Sequence, residues 1–157
     1  MHQLMHNPAM AYLRRKSMPQ IGLFVLRAAT GAIFVYHGYP KLFGGTAMTA
    51  AFFAKIGIPA PGFFAPFVGG VEFFGGLLLI LGLAARFWGL ALMIDMAVAI
   101  LATKHYTAWK TSEFELILLV SSLNLLLSGA GEYSLDAWLM KKGKVEHEAA
   151  MPMTPKP

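Results

Sequence analysis

The chain has 157 residues, a formal net charge of +5, 57% hydrophobic and 13% charged residues, and a mean hydropathy of +0.58. Soluble domains carry about 25% charged residues, so this composition excludes an ordinary soluble protein, and the length fits one domain. With no cysteine, disulfides, thiolate metal sites and any thiol redox step carried by this chain are excluded as well.

The charge sits mostly at the two ends, in Arg14, Arg15, Lys16 and then Lys141, Lys142, Lys144 and Lys156. Basic ends around an apolar middle point to anionic lipid headgroups. No basic stripe with interleaved aromatics points to nucleic acid. Residues 1–19 read as a cytosolic tail with a short interfacial helix around Met10–Lys16. No cleavable signal is expected, because the apolar run that follows contains Arg27 and exceeds a signal core of ~7–15 residues.

Four apolar segments follow, over about Gln20–Leu42, Phe63–Leu83, Phe87–Thr103 and Glu113–Ser128. Each is near the ~20 residues a membrane-crossing helix needs, the last two at the short end. Backbone groups in lipid must pair within their own segment, so these are helices. A soluble bundle would show polar outer faces, whereas Gly75–Ala85 and Leu116–Leu127 are apolar nearly all round. The expected fold is therefore an all-α membrane protein: a bundle of four transmembrane helices over residues 20–138. The expected location is the inner (plasma) membrane.

With four crossings both termini share a side. That side collects Arg14, Arg15, Lys16, Arg86, Lys141, Lys142, Lys144 and Lys156, against Lys41, Lys55, Lys104 and Lys110 on the other. The positive-inside rule then places both termini in the cytosol. In the loop of residues 43–62, Gly44–Gly45 breaks the chain, Thr46 is the expected cap of a short helix Ala47–Ile56, and Gly57, Pro59, Pro61 and Gly62 turn into the second span. Tyr106 and Trp109 suit a headgroup-level belt. Ser134-Leu135-Asp136 opens a short amphipathic piece through Trp138, and residues 139–157 read as a charged, disordered tail.

The polar residues inside the spans are the candidate site: Arg27, His37, Lys41, Glu72, Asp95 and Glu115. A charge at the bilayer centre costs at least ~2.5 kcal/mol, so each asks for a partner. Arg27, Gly31, Phe34, Gly38 and Lys41 share one face of the first span, with His37 beside it. Glu72 lies near the middle of the second span among Gly69, Gly70, Gly75 and Gly76, which read as a tightly packed seam. Glu72 is the expected partner of Arg27, because guanidinium and carboxylate can pair through two parallel hydrogen bonds. Asp95 lies mid-way along the third span. Glu115 lies near the outer end of the fourth, on the face of Ser122 and Gly129, while Asn124 points to the opposite side with Ser121 and Ser128. Each has a purely structural alternative: an ion pair that fixes packing, a carboxyl that hydrogen-bonds or reaches headgroup water, a satisfied core histidine. Haem needs a second histidine or a methionine partner for His37 inside the spans, and Met93 and Met96 read as filler. No short ligand spacing supports a metal.

These motifs in this order resemble the DoxX family of small four-helix membrane proteins. The residues that carry the resemblance are Arg27 with Gly31, Gly38-x-x-Lys41-Leu42, Gly57-Ile58-Pro59, Glu72-x-x-Gly75-Gly76 and Gly82-Leu83-x-x-Arg86. Glu115 and Gly129-x-Gly131 followed by Ser134-Leu135-Asp136 complete it, over about Ile21 to Trp138. Glu132 departs from the basic or small residue of many members. The resemblance implies an inner-membrane bundle. It also implies a role beside redox enzymes such as thiosulfate:quinone oxidoreductase, thiosulfate sulfurtransferase or superoxide dismutase.

Two functions fit. In one, the chain is a quinone-interacting membrane subunit of a redox complex, with Arg27, His37, Glu72 and Glu115 lining a pocket; a soluble or membrane partner protein, or a bound cofactor, then supplies the electrons. In the other, the same residues form a carrier path for a proton or small anion, or only lock a scaffold. Whether the chain is itself an enzyme, and its cofactor beyond quinone as a candidate, stay open at this level.

Overall fold

The computed structural model describes residues 8–103 and 112–150. Among them the chain forms six helices, α1 Pro8–Leu42, α2 Thr46–Lys55, α3 Pro61–Leu81, α4 Ala85–Thr103, α5 Glu113–Ser128 and α6 Leu135–Ala150. The expected belt residues Tyr106 and Trp109 lie outside the described residues. Three segments, Ser17–Leu42, Pro61–Leu81 and Ala85–Thr103, are long and apolar enough to cross a membrane. Helix α5, at 16 residues, is about 24 Å long and falls short of a ~30 Å hydrocarbon core.

Helix α1 runs straight through Pro19, where the sequence suggested a boundary between tail and span. The stretch Met10–Lys16 is part of this same helix. At the other end of α1, the Thr46 hydroxyl donates to the Lys41 carbonyl at 2.6 Å, and the amide of Gly45 donates to Pro40 O at 2.7 Å. Thr46 therefore closes α1 rather than capping α2, whose N-cap is Gly45 without a side-chain bond. Helix α3 begins on Pro61 and ends in a left-handed Gly82, φ 71°. There the Gly82 and Leu83 amides return to Leu79 O and Leu78 O, a Schellman ending. Helix α6 continues to Ala150, well past Trp138, where the sequence suggested that order would end.

Helix α1 packs along α3, α3 against α4, and α4 along α5, with α2 resting on α3. Phe34, Leu79, Leu92, Met96, Leu118 and Leu125 form the common core. The closest seam is α1 against α3. A Cβ built on Gly31 would stand 2.5 Å from the Gly76 carbonyl, and one on Gly76 2.5 Å from the Gly31 carbonyl. One on Gly38 would meet the Phe73 amide at 2.5 Å and the Gly69 carbonyl at 2.9 Å. Glycine thus faces glycine twice, with the same seven-residue spacing on both antiparallel helices. The backbones meet where no side chain fits. The second seam sets Gly75 against the Trp88 ring and Gly89 against the backbone of Ser122 and Leu126. Gly70 does not belong to either: nothing stands within 4 Å of its Cβ position.

The distribution of residues is that of a protein whose solvent is lipid. Arg27 and Glu72 are 1% and 2% exposed, while Leu127, Ile117 and Phe67 are 68%, 65% and 53% exposed. A water-soluble domain keeps such charges at the surface and such side chains within.

The seam makes a contrast that thermal unfolding in mild detergent can measure. Gly31→Ala and Gly76→Ala each push a methyl onto a carbonyl of the facing helix, and should cost about 1–3 kcal/mol. Gly70→Ala should be neutral or stabilise by up to about 1 kcal/mol, because it removes backbone entropy and meets nothing. Equal losses at all three positions would refute the seam.

Candidate functional site

The charged residues of the spans separate into two groups at opposite ends of α1. Arg27 and Lys41 are 14 residues apart, about 21 Å along the helix.

At the Arg27 end the guanidinium crosses from α1 to the loop between α5 and α6. Its Nη1 donates to the Ala130 carbonyl and its Nη2 to the Tyr133 carbonyl at 2.7 Å. Gly82 leaves the room this requires, since a Cβ there would collide with Arg27 Nη1 and Ser134 Cβ, each at 2.5 Å. The loop is held on every side. Gln20 Oε1 accepts the Glu132 amide at 3.0 Å, the Ser134 hydroxyl donates to Gly131 O at 2.6 Å, and the Asp136 amide donates to Gly82 O at 3.1 Å. The Asp136 carboxylate accepts the amides of Ala84 at 3.0 Å and Ala85 at 3.4 Å, and so caps α4. Arg27 is therefore not paired with Glu72. Its partners are backbone carbonyls, which side-chain patterns do not display. The signals for them were the motifs Gly82-Leu83, Gly129-x-Gly131 and Ser134-Leu135-Asp136, which all converge on this knot.

At the Lys41 end the glycine seam brings α3 close enough for Lys41 Nζ to reach Glu72 Oε1 at 2.6 Å. Glu72 is buried and Lys41 partly exposed, so the pair has one foot inside the protein. Asp95 of α4 lies beside the pair, in the field of both Glu72 and Lys41. Glu72 Oε2 and Asp95 Oδ2 are buried and receive no donor among the described residues. Three helices thus contribute one amine and two carboxyls to a single cluster.

His37, beside the seam, is exposed rather than a core histidine. Its ring lies 5.4 Å from that of Tyr36 and 5.3 Å from that of Phe114 on α5. An open groove of ≈ 630 Å³ runs beside it, lined by Ala32, Val35, Tyr36, His37, Tyr39, Pro40 and Ile80. Glu115 is partly buried and its Oε2 lacks a donor among the described residues. The single pocket of Arg27, His37, Glu72 and Glu115 suggested by the sequence is not formed, because Arg27 is committed at the far end. Ser122 is fully buried on the α5 face expected for it, and exposed Asn124 accepts a 3.3 Å bond from Ser128. No three His, Asp or Glu side chains among the described residues are placed to hold a metal ion.

The class these features define is a small helical membrane protein with a partly buried ionisable cluster between its helices. The chain belongs to the DoxX family: the DoxX model matches residues 22–105. A second family model, described as "TQO small subunit DoxD", matches residues 64–156. Among curated proteins it is similar to "Putative oxidoreductase CatD" of Bacillus subtilis, with 36% identity over 80% of this chain and 92% of that one. It is also similar to membrane protein Rv3486 of Mycobacterium tuberculosis, with 33% identity over 74% of this chain and 80% of that one. No solved structure matches at a significant level.

A double-mutant cycle on unfolding in detergent separates the observed pairing from the one the sequence suggested. Lys41→Met and Glu72→Gln should couple by about 0.5–3 kcal/mol, as contacting residues do. Arg27→Met and Glu72→Gln should be additive within about 0.5 kcal/mol. Arg27→Met alone should cost about 1–3 kcal/mol for each carbonyl it leaves without a donor. A strong Arg27–Glu72 coupling would overturn this assignment.

Proposed function

We propose that the chain is the membrane subunit of a redox complex in the inner (plasma) membrane. In this reading it docks a quinone in the groove beside His37. The observation that carries the reading is the juxtaposition at the Lys41 end of α1. An apolar, aromatic-walled groove with one imidazole opens one helical turn from a partly buried cluster of ionisable groups. Its volume suits a ring-sized ligand. Tyr36 and Tyr39 supply flat walls, and Ala32, Val35 and Ile80 supply an apolar floor. The orphaned oxygens of Glu72 and Asp95 fit a site that holds and releases protons. The names of CatD and of the DoxD model, an oxidoreductase and a TQO subunit, favour redox work over a carrier or scaffold.

A bound quinone supplies two-electron chemistry that takes up two protons on reduction and gives them back on oxidation. This chain's part is positioning and proton handling. His37 donates or accepts a proton at its imidazole, and Lys41, Glu72 and Asp95 restock it from inside the bundle. The electrons come from a redox partner protein, since a chain without cysteine has no thiol couple of its own.

The reading includes four crossings, α5 being the fourth, and both termini in the cytosol. The shortfall of α5 is small enough for local bilayer thinning. Single cysteines report this cleanly in a chain that has none. In intact cells an impermeant maleimide should label Lys55→Cys and leave Glu146→Cys unlabelled until lysis. Labelling of both, or of Glu146→Cys alone, would refute the topology.

Docking is tested with a photoactivatable quinone analogue on the purified full chain. Crosslinks should fall within residues 32–40, and His37→Ala should lower labelling about tenfold. Glu72→Gln should leave labelling intact while slowing quinone-linked turnover of the complex by ~100-fold or more. Uniform labelling of all lipid-facing helices, insensitive to His37→Ala, would dismiss the site.

A further inference from the structure

The Arg27 end carries a second groove that the redox reading does not use. It has a volume of ≈ 710 Å³ and lies between the turn joining α3 to α4, the end of α5 and one face of α6. Three cations line it, Arg86 from the first turn of α4 and Lys141 and Lys144 from α6. Ala137, Met140, Lys141 and Lys144 recur at helical spacing, so α6 presents both lysines on the face that closes the groove. Arg86 is set by Gly129: a Cβ at that glycine would stand 3.1 Å from Arg86 Nε, so the side chain lies flat across the end of α5.

The two acidic residues in the lining are already engaged. The Asp136 carboxylate accepts the amides of Ala84 and Ala85, and Glu132 makes its own interactions. The salt bridge of α6 joins Lys142 to Glu146 at 3.8 Å, and Lys142 also lies over the Trp138 ring. Lys142 is absent from the groove lining, so this pairing leaves Lys141 and Lys144 to the groove. Beside the cations, Phe87, Leu139 and Met140 also line the groove, and Phe87 stands exposed at the start of α4, a membrane-length helix.

We infer that this groove binds the phosphate headgroup of an anionic bilayer phospholipid, with its acyl chains running down past Phe87 along α4. Positive charge meets the phosphate at headgroup depth, and the apolar side chains meet the acyl chains below it. A phosphate held between α4 and α6 would also tie α6 to the membrane surface. The inference is independent of the quinone reading, because its residues lie at the other end of α1.

The test uses the full chain in nanodiscs of phosphatidylcholine with a minor fraction of phosphatidylglycerol, followed by native mass spectrometry of the lipids that stay bound. The wild type should retain phosphatidylglycerol in preference to phosphatidylcholine. Lys141→Gln/Lys144→Gln should reduce that retention about thirtyfold, as the loss of two headgroup-level charges predicts. Both lysines are exposed, so this variant should keep its melting temperature. Arg86→Gln should act in the same direction, and Lys142→Gln should retain lipid as the wild type does. Equal retention of the two lipids, or unchanged retention in the double lysine variant, would overturn the inference. So would binding of inorganic phosphate with the same lysine dependence but no retained lipid, which would mark a soluble anion as the ligand.

Discussion

The structure depends on the disposal of one charge. Arg27 lies in a helix that is otherwise built for lipid, and its guanidinium is completely buried. A buried guanidinium needs acceptors for a planar fork of donors. Here Nη1 and Nη2 find main-chain carbonyls of the segment linking α5 to α6, while Nε has no acceptor among the described residues. That choice has consequences along the chain. The linking segment must fold back over α1, which the left-handed Gly129 and Gly131 permit. The end of α3 must leave space, which Gly82 does by lacking a Cβ. Once the segment is seated, Asp136 caps α4 and Ser134 starts α6. Four helix ends are organised around one side chain.

The other end of α1 is freed by this arrangement. Arg27 is not paired with Glu72, so Glu72 is available to Lys41. The glycine ladder of α1 and α3 runs alongside that contact and brings the two backbones together where no side chain fits. The charge-lined cluster and the His37 groove then share one end of the molecule, while the basic groove of Arg86, Lys141 and Lys144 occupies the other. The separation of the cluster from the basic groove thus follows where one arginine found its acceptors.

Much of this was legible in the residues. The apolar segments, the short helix after Gly44–Gly45 and the face shared by Arg27, Gly31, Phe34, Gly38 and Lys41 all follow from periodicity, and the structure keeps them. Packing of the α3 glycines was legible as a tendency but not residue by residue. Gly69, Gly75 and Gly76 pack against neighbours and Gly70 does not, because a 100° step around the helix separates seam from lipid and composition carries no angle to the partner. The reach of α6 was missed because its polar surface reads like a solvated tail. Its first turn is anchored by Asp136 and Ser134, a contact made with a distant part of the chain.

What the sequence determined by itself was the class: apolar helices of membrane length, the residues too polar to face lipid, and the small residues where helices approach. Those properties are local and additive along the chain, so composition and spacing express them. What only the tertiary structure decided was who pairs with whom. Arg27, Lys41, Glu72 and Asp95 offer several chemically reasonable pairings, and all satisfy the same pattern. The antiparallel register of α1 on α3 selects among them by distance: it sets Lys41 opposite Glu72 and leaves Arg27 about four helical turns away, beside carbonyl groups that every sequence has and none advertises.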